Sequence, residues 1–202
     1  MSFVYVDVDD FKKTLAAEGS TFLDDDIEIA LQAASAGIDE TQGRTYGKSD
    51  EDEVRVFSPD NRELLWIDDL AAEPTAVRVD SGGDGTFETW TQDTDFRLGP
   101  LNAELKGKPF TSIRAKNRGL PVGTFAIVEV TGIFGWPAPP SQIVEATGII
   151  ASQLVKRARE APFGVVSISS ETAAYIARND PHVSFLLEGL GRKPLFASLR
   201  LG

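Results

Sequence analysis

The apolar positions of the first fifty residues recur with the period of a helix. Phe11 and Leu15 lie one turn apart in a short segment that Asp9 or Asp10 can cap and that Gly19 and Ser20 end. Ile27, Leu31, Ala34 and Ile38 then form a stripe at three- and four-residue steps. That second helix starts at Asp24-Asp25-Asp26, whose carboxylates suit the positive end of its dipole. Ala30, Ala33, Ala34, Ala36 and Gly37 keep it slim enough for another helix to come close, and Gly43 and Gly47 close the segment.

From Val54 the pattern changes to short β-rich runs. They are Val54–Phe57, Leu64–Ile67, Ala76–Val79, Thr86–Trp90, Asp95–Leu98, Phe110–Arg114 and Thr124–Val130, each bounded by turn residues. Several alternate apolar and polar positions, as half-buried antiparallel strands do. Helical spacing returns beyond Pro139-Pro140-Ser141, where Ile143, Ala146, Ile150, Leu154 and Ala158 continue one face until Pro162 and Gly164. Glu171 to Ala177 reads as helix or as extended chain. Asp180-Pro181 opens a last helix through Leu186 and Leu187, broken by Gly189 and Gly191. Lys193 to Gly202 is strand-like but has no evident partner in the chain.

Helices this short do not hold alone in water, so those at the two chain ends must pack on each other. The expectation is an α+β fold: a small helical bundle from residues 1–50 and 137–190, an antiparallel β domain inserted at 51–136, and a C-terminal arm at 191–202.

Composition narrows the chemistry. The chain has 202 residues, a net charge of −11 and no cysteine, which removes disulfides, thiolate metal sites and cysteine nucleophiles together. Charge is uneven: −10 in residues 1–60, −3 in 61–140 and +2 in 141–202. Such a balance disfavours gripping nucleic acid through its phosphates. Solubility explains the acidity simply; a protomer with unlike ends facing different neighbours or lining a channel is the sharper reading. Met1-Ser2-Phe3-Val4 runs straight into Asp7, Asp9 and Asp10, so no signal peptide is expected. No run is long enough to span a bilayer, and no membrane association is expected.

Candidate sites are few. Asp80, Asp84 and Glu88 around Gly82, Gly83 and Gly85 could wrap calcium, but Asp84-Gly85 between two strands reads first as a tight hairpin tip. His182 is the single histidine, and neither a nucleophile elbow nor a second histidine accompanies it. Phosphate-binding glycine loops are missing. Lys156, Arg157 and Arg159 complement a helix C-terminus, with DNA or an acidic neighbour as the alternative partner. Trp66, Trp90 and Trp136 read as core and junction residues without the basic companions that base stacking needs. No catalytic residue, metal or cofactor is expected, and the chain does not read as an enzyme.

The segment Gly132-Ile133-Phe134-Gly135-Trp136-Pro137-Ala138-Pro139-Pro140, the helix after it, and Leu154-Val155-Lys156-Arg157-Ala158-Arg159-Glu160-Ala161-Pro162-Phe163-Gly164 resemble the head-tail connector adaptors of long-tailed bacteriophages. Val8-Asp9-Asp10-Phe11-Lys12 through Ala33-Ala34-Ser35-Ala36-Gly37-Ile38-Asp39 is similar to that family's opening helix pair. The resemblance implies a structural virion protein at the head-tail interface. It would form a homo-oligomeric ring, expected to be a dodecamer, below the portal protein, continue the DNA channel without sequence-specific binding, and dock a stopper or tail protein. Slim alanine faces would suit side-by-side packing of protomers. Asp24, Asp25 and Asp26 with Lys156, Arg157 and Arg159 are the candidate subunit or channel contacts. Leu195, Phe196, Ala197, Leu199 and Leu201 would form an arm reaching the portal. Other readings are a different neck component, such as a stopper or tail terminator, and a carbohydrate- or peptide-binding module using Trp66 or Trp90.

Overall fold

A computed structural model of the chain describes residues 3–17, 23–123, 125–160 and 168–191. The fold is α+β, with helices toward both ends and strands between them. The chain divides into two compact units, Met1–Tyr46 with Pro139–Gly202, and Gly47–Ala138.

The first unit holds α1 (Val8–Ala17), α2 (Asp24–Gln42), α3 (Ser141–Glu160), α4 (Ser170–Asn179) and α5 (Pro181–Leu187). The cap of α1 is Asp7, one turn earlier than Asp10: its carboxylate accepts from the backbone N–H groups of Asp9 and Asp10 at 2.8 and 3.3 Å. In α2 the three aspartates fill the first turn, while Gly43 at φ 63° ends the helix by donating its N–H to the Asp39 carbonyl at 2.8 Å. Ile27, Leu31, Ala34 and Ile38 are buried along one stripe. The segment around Glu171–Ala177 is helical, capped by the Ser169 hydroxyl accepting from Thr172 N–H at 3.3 Å. Asp180 caps α5, accepting from the His182 and Val183 N–H groups at 2.9 and 3.1 Å, and Pro181 stands at the first helical turn. Gln153 donates to the other Asp180 oxygen at 2.8 Å, tying α3 to the α4–α5 corner.

Helix α2 lies at the centre of this unit, packed on α4, α3 and α1. Its small-residue face is filled from within. A Cβ on Gly37 would stand 2.6 Å from the Ala173 Cβ and 2.7 Å from the Ala174 nitrogen, so α4 seats its backbone in the slot. The alanine face is therefore consumed inside the protomer and is not a surface for side-by-side packing between protomers. Ala30, Ala34, Ala173 and Ala174 are all but inaccessible to solvent.

Among its described residues the second unit has seven strands: β1 (Glu53–Phe57), β2 (Leu64–Leu70), β3 (Ala76–Asp80), β4 (Glu88–Trp90), β5 (Phe96–Gly99), β6 (Phe110–Ala115) and β7 (Ile127–Gly132). They form two antiparallel sheets, one ordered β1-β7-β3-β4 and the other β2-β6-β5. Ile67, Leu70, Val77, Val79, Leu98, Ile113, Val128 and Val130 from both sheets join one apolar core. Strand β2 runs past Ile67 through Asp68 and Asp69. Asp69 is buried, where its carboxylate accepts from the Trp136 indole N–H at 3.2 Å and its carbonyl accepts from Gly135 N–H at 2.7 Å. Gly135, at φ 118°, has no room for a side chain, because a Cβ would meet the Gly47 carbonyl oxygen at 1.9 Å.

Candidate assembly surfaces

The glycine-rich segment after β3 is a loop of seven residues, Ser81–Phe87, rather than a tight hairpin tip, and β4 begins only at Glu88. Asp80 organises it: its carboxylate accepts from the N–H groups of Gly82, Gly83 and Gly85 at 3.0, 2.7 and 2.8 Å. Burial pushes the Asp80 pKa up, but these donors outweigh it and hold the group below the usual carboxylate range. Asp84 accepts from Thr86 N–H at 2.8 Å, and Glu88 pairs with Arg118 at 2.5 Å. Each of the three acids considered for calcium thus has a different partner, and among the described residues no acidic or histidine cluster could hold a metal ion.

The polar centre of the helical unit is built on Tyr5. Its hydroxyl donates to Asp39 at 2.5 Å and accepts from Tyr46 N–H at 2.9 Å. The Tyr46 hydroxyl reaches the Leu190 carbonyl at 3.0 Å, which Arg44 also meets at 3.1 Å. Burial pushes the Asp39 carboxyl up to about 6, against the lowering effect of the Tyr5 and Thr45 hydrogen bonds. Burial and the neighbouring Asp39 likewise raise the Tyr5 phenol. The network ties the N-terminal segment to the chain following α5 within the unit.

Asp24, Asp25 and Asp26 are exposed on the first turn of α2, and Asp24 pairs with Lys12 at 2.7 Å. Lys156, Arg157 and Arg159 are exposed on the last turns of α3. His182 lies at the surface, 3.9 Å from Glu145. The arm residues Leu195, Phe196, Ala197, Leu199 and Leu201 lie outside the described residues, as does the Pro162–Gly164 stop.

The tryptophans have three different environments. Trp136 is buried on Asp69. Trp90 is buried too, and it does have a basic companion: the Arg118 guanidinium lies 5.2 Å from its ring centroid. At 4% exposure the ring offers no face to an outside base. Trp66 is not a core residue; it is 50% exposed on β2.

Strand register explains what surrounds Trp66. Leu64, Arg114 and Arg97 pair across β2, β6 and β5 and share one face, and Trp66, Ser112 and Gly99 form the next row on that face. Leu65, Ile113 and Leu98 point the other way, into the core. The β5–β6 loop leaves from the Trp66 row and presents Leu101, 70% exposed, and Leu105, 86% exposed. Lys106 and Lys108 flank them in the same exposed loop. Periodicity could not find this patch, because Leu101 and Leu105 lie in a loop and Trp66 differs from its buried neighbours only through register.

No protein-family model and no curated protein matches the chain. Among solved structures, it is similar to a chain from the neck of an empty GTA particle computed with C6 symmetry: TM-score 0.52, 20% identity, covering 87% of this chain and 91% of that one. A chain from the neck of a native GTA particle computed with C12 symmetry aligns at a TM-score of 0.49 and 19% identity over the same shares. The first likeness establishes a shared fold that spans both units rather than one. No helix among the described residues is long and apolar enough to cross a membrane.

Proposed function

We propose that the chain is a structural protein of the neck of a phage-like particle: a head-to-tail connector adaptor that forms a ring below the portal and docks the next neck or tail component. The observation that carries this reading is the whole-chain likeness of fold to a neck chain of a GTA particle, a phage-like gene transfer agent. Fold alone does not define function. Here it agrees with the Gly132–Gly164 resemblance to connector adaptors, which rests on residues and not on fold. Asp7 and Asp180 cap helices and Asp80 organises a turn, roles that suit a structural part. The copy number expected from the adaptor resemblance is a dodecamer, with the segment 191–202 as the portal-seeking arm. DNA would pass such a ring without sticking, because an acidic wall repels phosphate.

Native mass measurement and negative-stain microscopy of the purified protein, alone and mixed with the portal protein of the same particle, test the reading. Closed rings, or rings formed on the portal, are expected. A protein that stays monomeric in both mixtures overturns it. Deleting residues 194–202 should leave the melting temperature unchanged and abolish attachment to heads.

A further inference from the structure

We infer that the outer face of the β2-β6-β5 sheet, with the β5–β6 loop, is a docking face for a second copy of this chain and receives the acidic first turn of its α2. Three large apolar side chains, Trp66, Leu101 and Leu105, are at least half exposed around one end of this sheet. Isolated exposed leucines are ordinary, but an aromatic in the Gly99 row and two leucines in the loop that leaves that row, with basic residues on both, have the make-up of an interface centre. The basic residues are Arg97, Arg114, Lys106 and Lys108, all exposed in a chain of net charge −11, against the single exposed acid Glu104 of the loop. Arg97 has Asp93 at 3.5 Å, and among the described residues Arg114, Lys106 and Lys108 have no ion pair.

The loop is already ordered for binding. Ala103 is buried at its centre; its N–H donates to the Pro100 carbonyl at 3.3 Å, and its own carbonyl accepts from Lys106 and Lys108 N–H at 3.0 Å each. Leu101 and Leu105 are therefore presented by a fixed backbone, so little conformational entropy is lost when a partner covers them.

Charge and polarity select the occupant. Residues 1–60 carry −10, and on α2 the exposed Asp25, Asp26 and Glu28 stand beside Leu23, 73% exposed, and Ile29, 49% exposed. Apolar-with-acid complements apolar-with-base. A phosphate backbone would engage the basic side chains but leave both leucines without partners. The contact joins unlike faces, so it is heterologous and either closes into a ring or grows as a chain. Closure, and only closure, rests on the ring reading above.

The absence of cysteine makes a clean test. Full-length Leu105→Cys and Leu23→Cys proteins are mixed under mild oxidation, with Leu105→Cys and Tyr175→Cys as the control pair, Tyr175 being an exposed site on α4, 61% against 73% for Leu23. The first pair should give several-fold more mixed disulfide. Adding Lys106→Glu and Lys108→Glu to the Leu105→Cys protein should reduce that yield to control level, and Asp25→Lys with Asp26→Lys on the Leu23→Cys partner should restore it. Equal yields from both pairs overturn the inference. So does a double-stranded DNA mobility shift that Lys106→Glu with Lys108→Glu abolishes, since that assigns the face to nucleic acid. Native mass of the wild type separates the two proposals: rings without the preferred disulfide sink this contact alone, and the preferred disulfide in open dimers sinks the ring reading alone.

Discussion

Replacing Gly37 by alanine sets two effects of known sign against each other. Alanine in the interior of a helix gains about 1 kcal/mol over glycine from propensity. The new methyl, however, would stand 2.6 Å from the Ala173 Cβ, 2.7 Å from the Ala174 nitrogen and 2.9 Å from the Ala173 carbonyl carbon. Carbon atoms settle near 3.5–4.0 Å, so α2 and α4 must separate by roughly 1 Å. No rotamer relieves the clash, because two of the three opposing atoms are backbone and the third is a Cβ. Overpacking of this kind costs about 1–3 kcal/mol. Set against the propensity gain, it should leave the variant about 0–2 kcal/mol less stable than the parent. Gly148→Ala in α3 is the matched control: nothing lies within 4 Å of the added Cβ, so propensity acts alone and should stabilise by about 0.5–1 kcal/mol. Urea unfolding followed by circular dichroism at the helix band reads both. All three tryptophans belong to the β unit, so their fluorescence reports that unit separately. A Gly37→Ala protein stabilised as much as Gly148→Ala would refute the close approach of α2 and α4.

Asp39 gives a pH prediction. Its folded pKa is about 6, above the ordinary carboxylate value, so the native state binds more protons than the unfolded chain between the two. That contribution is fully present below about pH 4 and is lost as pH rises through 6. The group is only partly buried, and screening reduces the effect to about 1–2 kcal/mol. The stability difference between the parent and Asp39→Asn should therefore fall by that amount from pH 4 to pH 8, and a pH-independent difference would remove the argument. In the β unit, Asp80→Ala should speed hydrogen exchange at the amides of Gly82, Gly83 and Gly85, read by amide-resolved NMR or mass spectrometry, while calcium added to the parent should leave those rates unchanged.

The periodic helices and the β-rich runs were legible from the sequence because each is specified locally. The stripe Ile27, Leu31, Ala34, Ile38 is buried in α2, and the Ser141 start of α3 follows from Pro139-Pro140. Other features depended on partners distant in the chain. Strand β2 continues through two aspartates because Trp136 and Gly135 supply donors to Asp69, and Thr86 and Phe87 leave β4 because Asp80 and Asp84 gather the preceding turn. The Glu171–Ala177 segment becomes helical where α2 opens a slot at Gly37, so the slim face read from α2 is filled within the protomer. Three tryptophans that look alike in sequence became a buried donor, a buried ring under an arginine and an exposed surface residue. Local periodicity sets which face of an element is apolar, whereas strand register and helix pairing decide which of those faces is left for a partner.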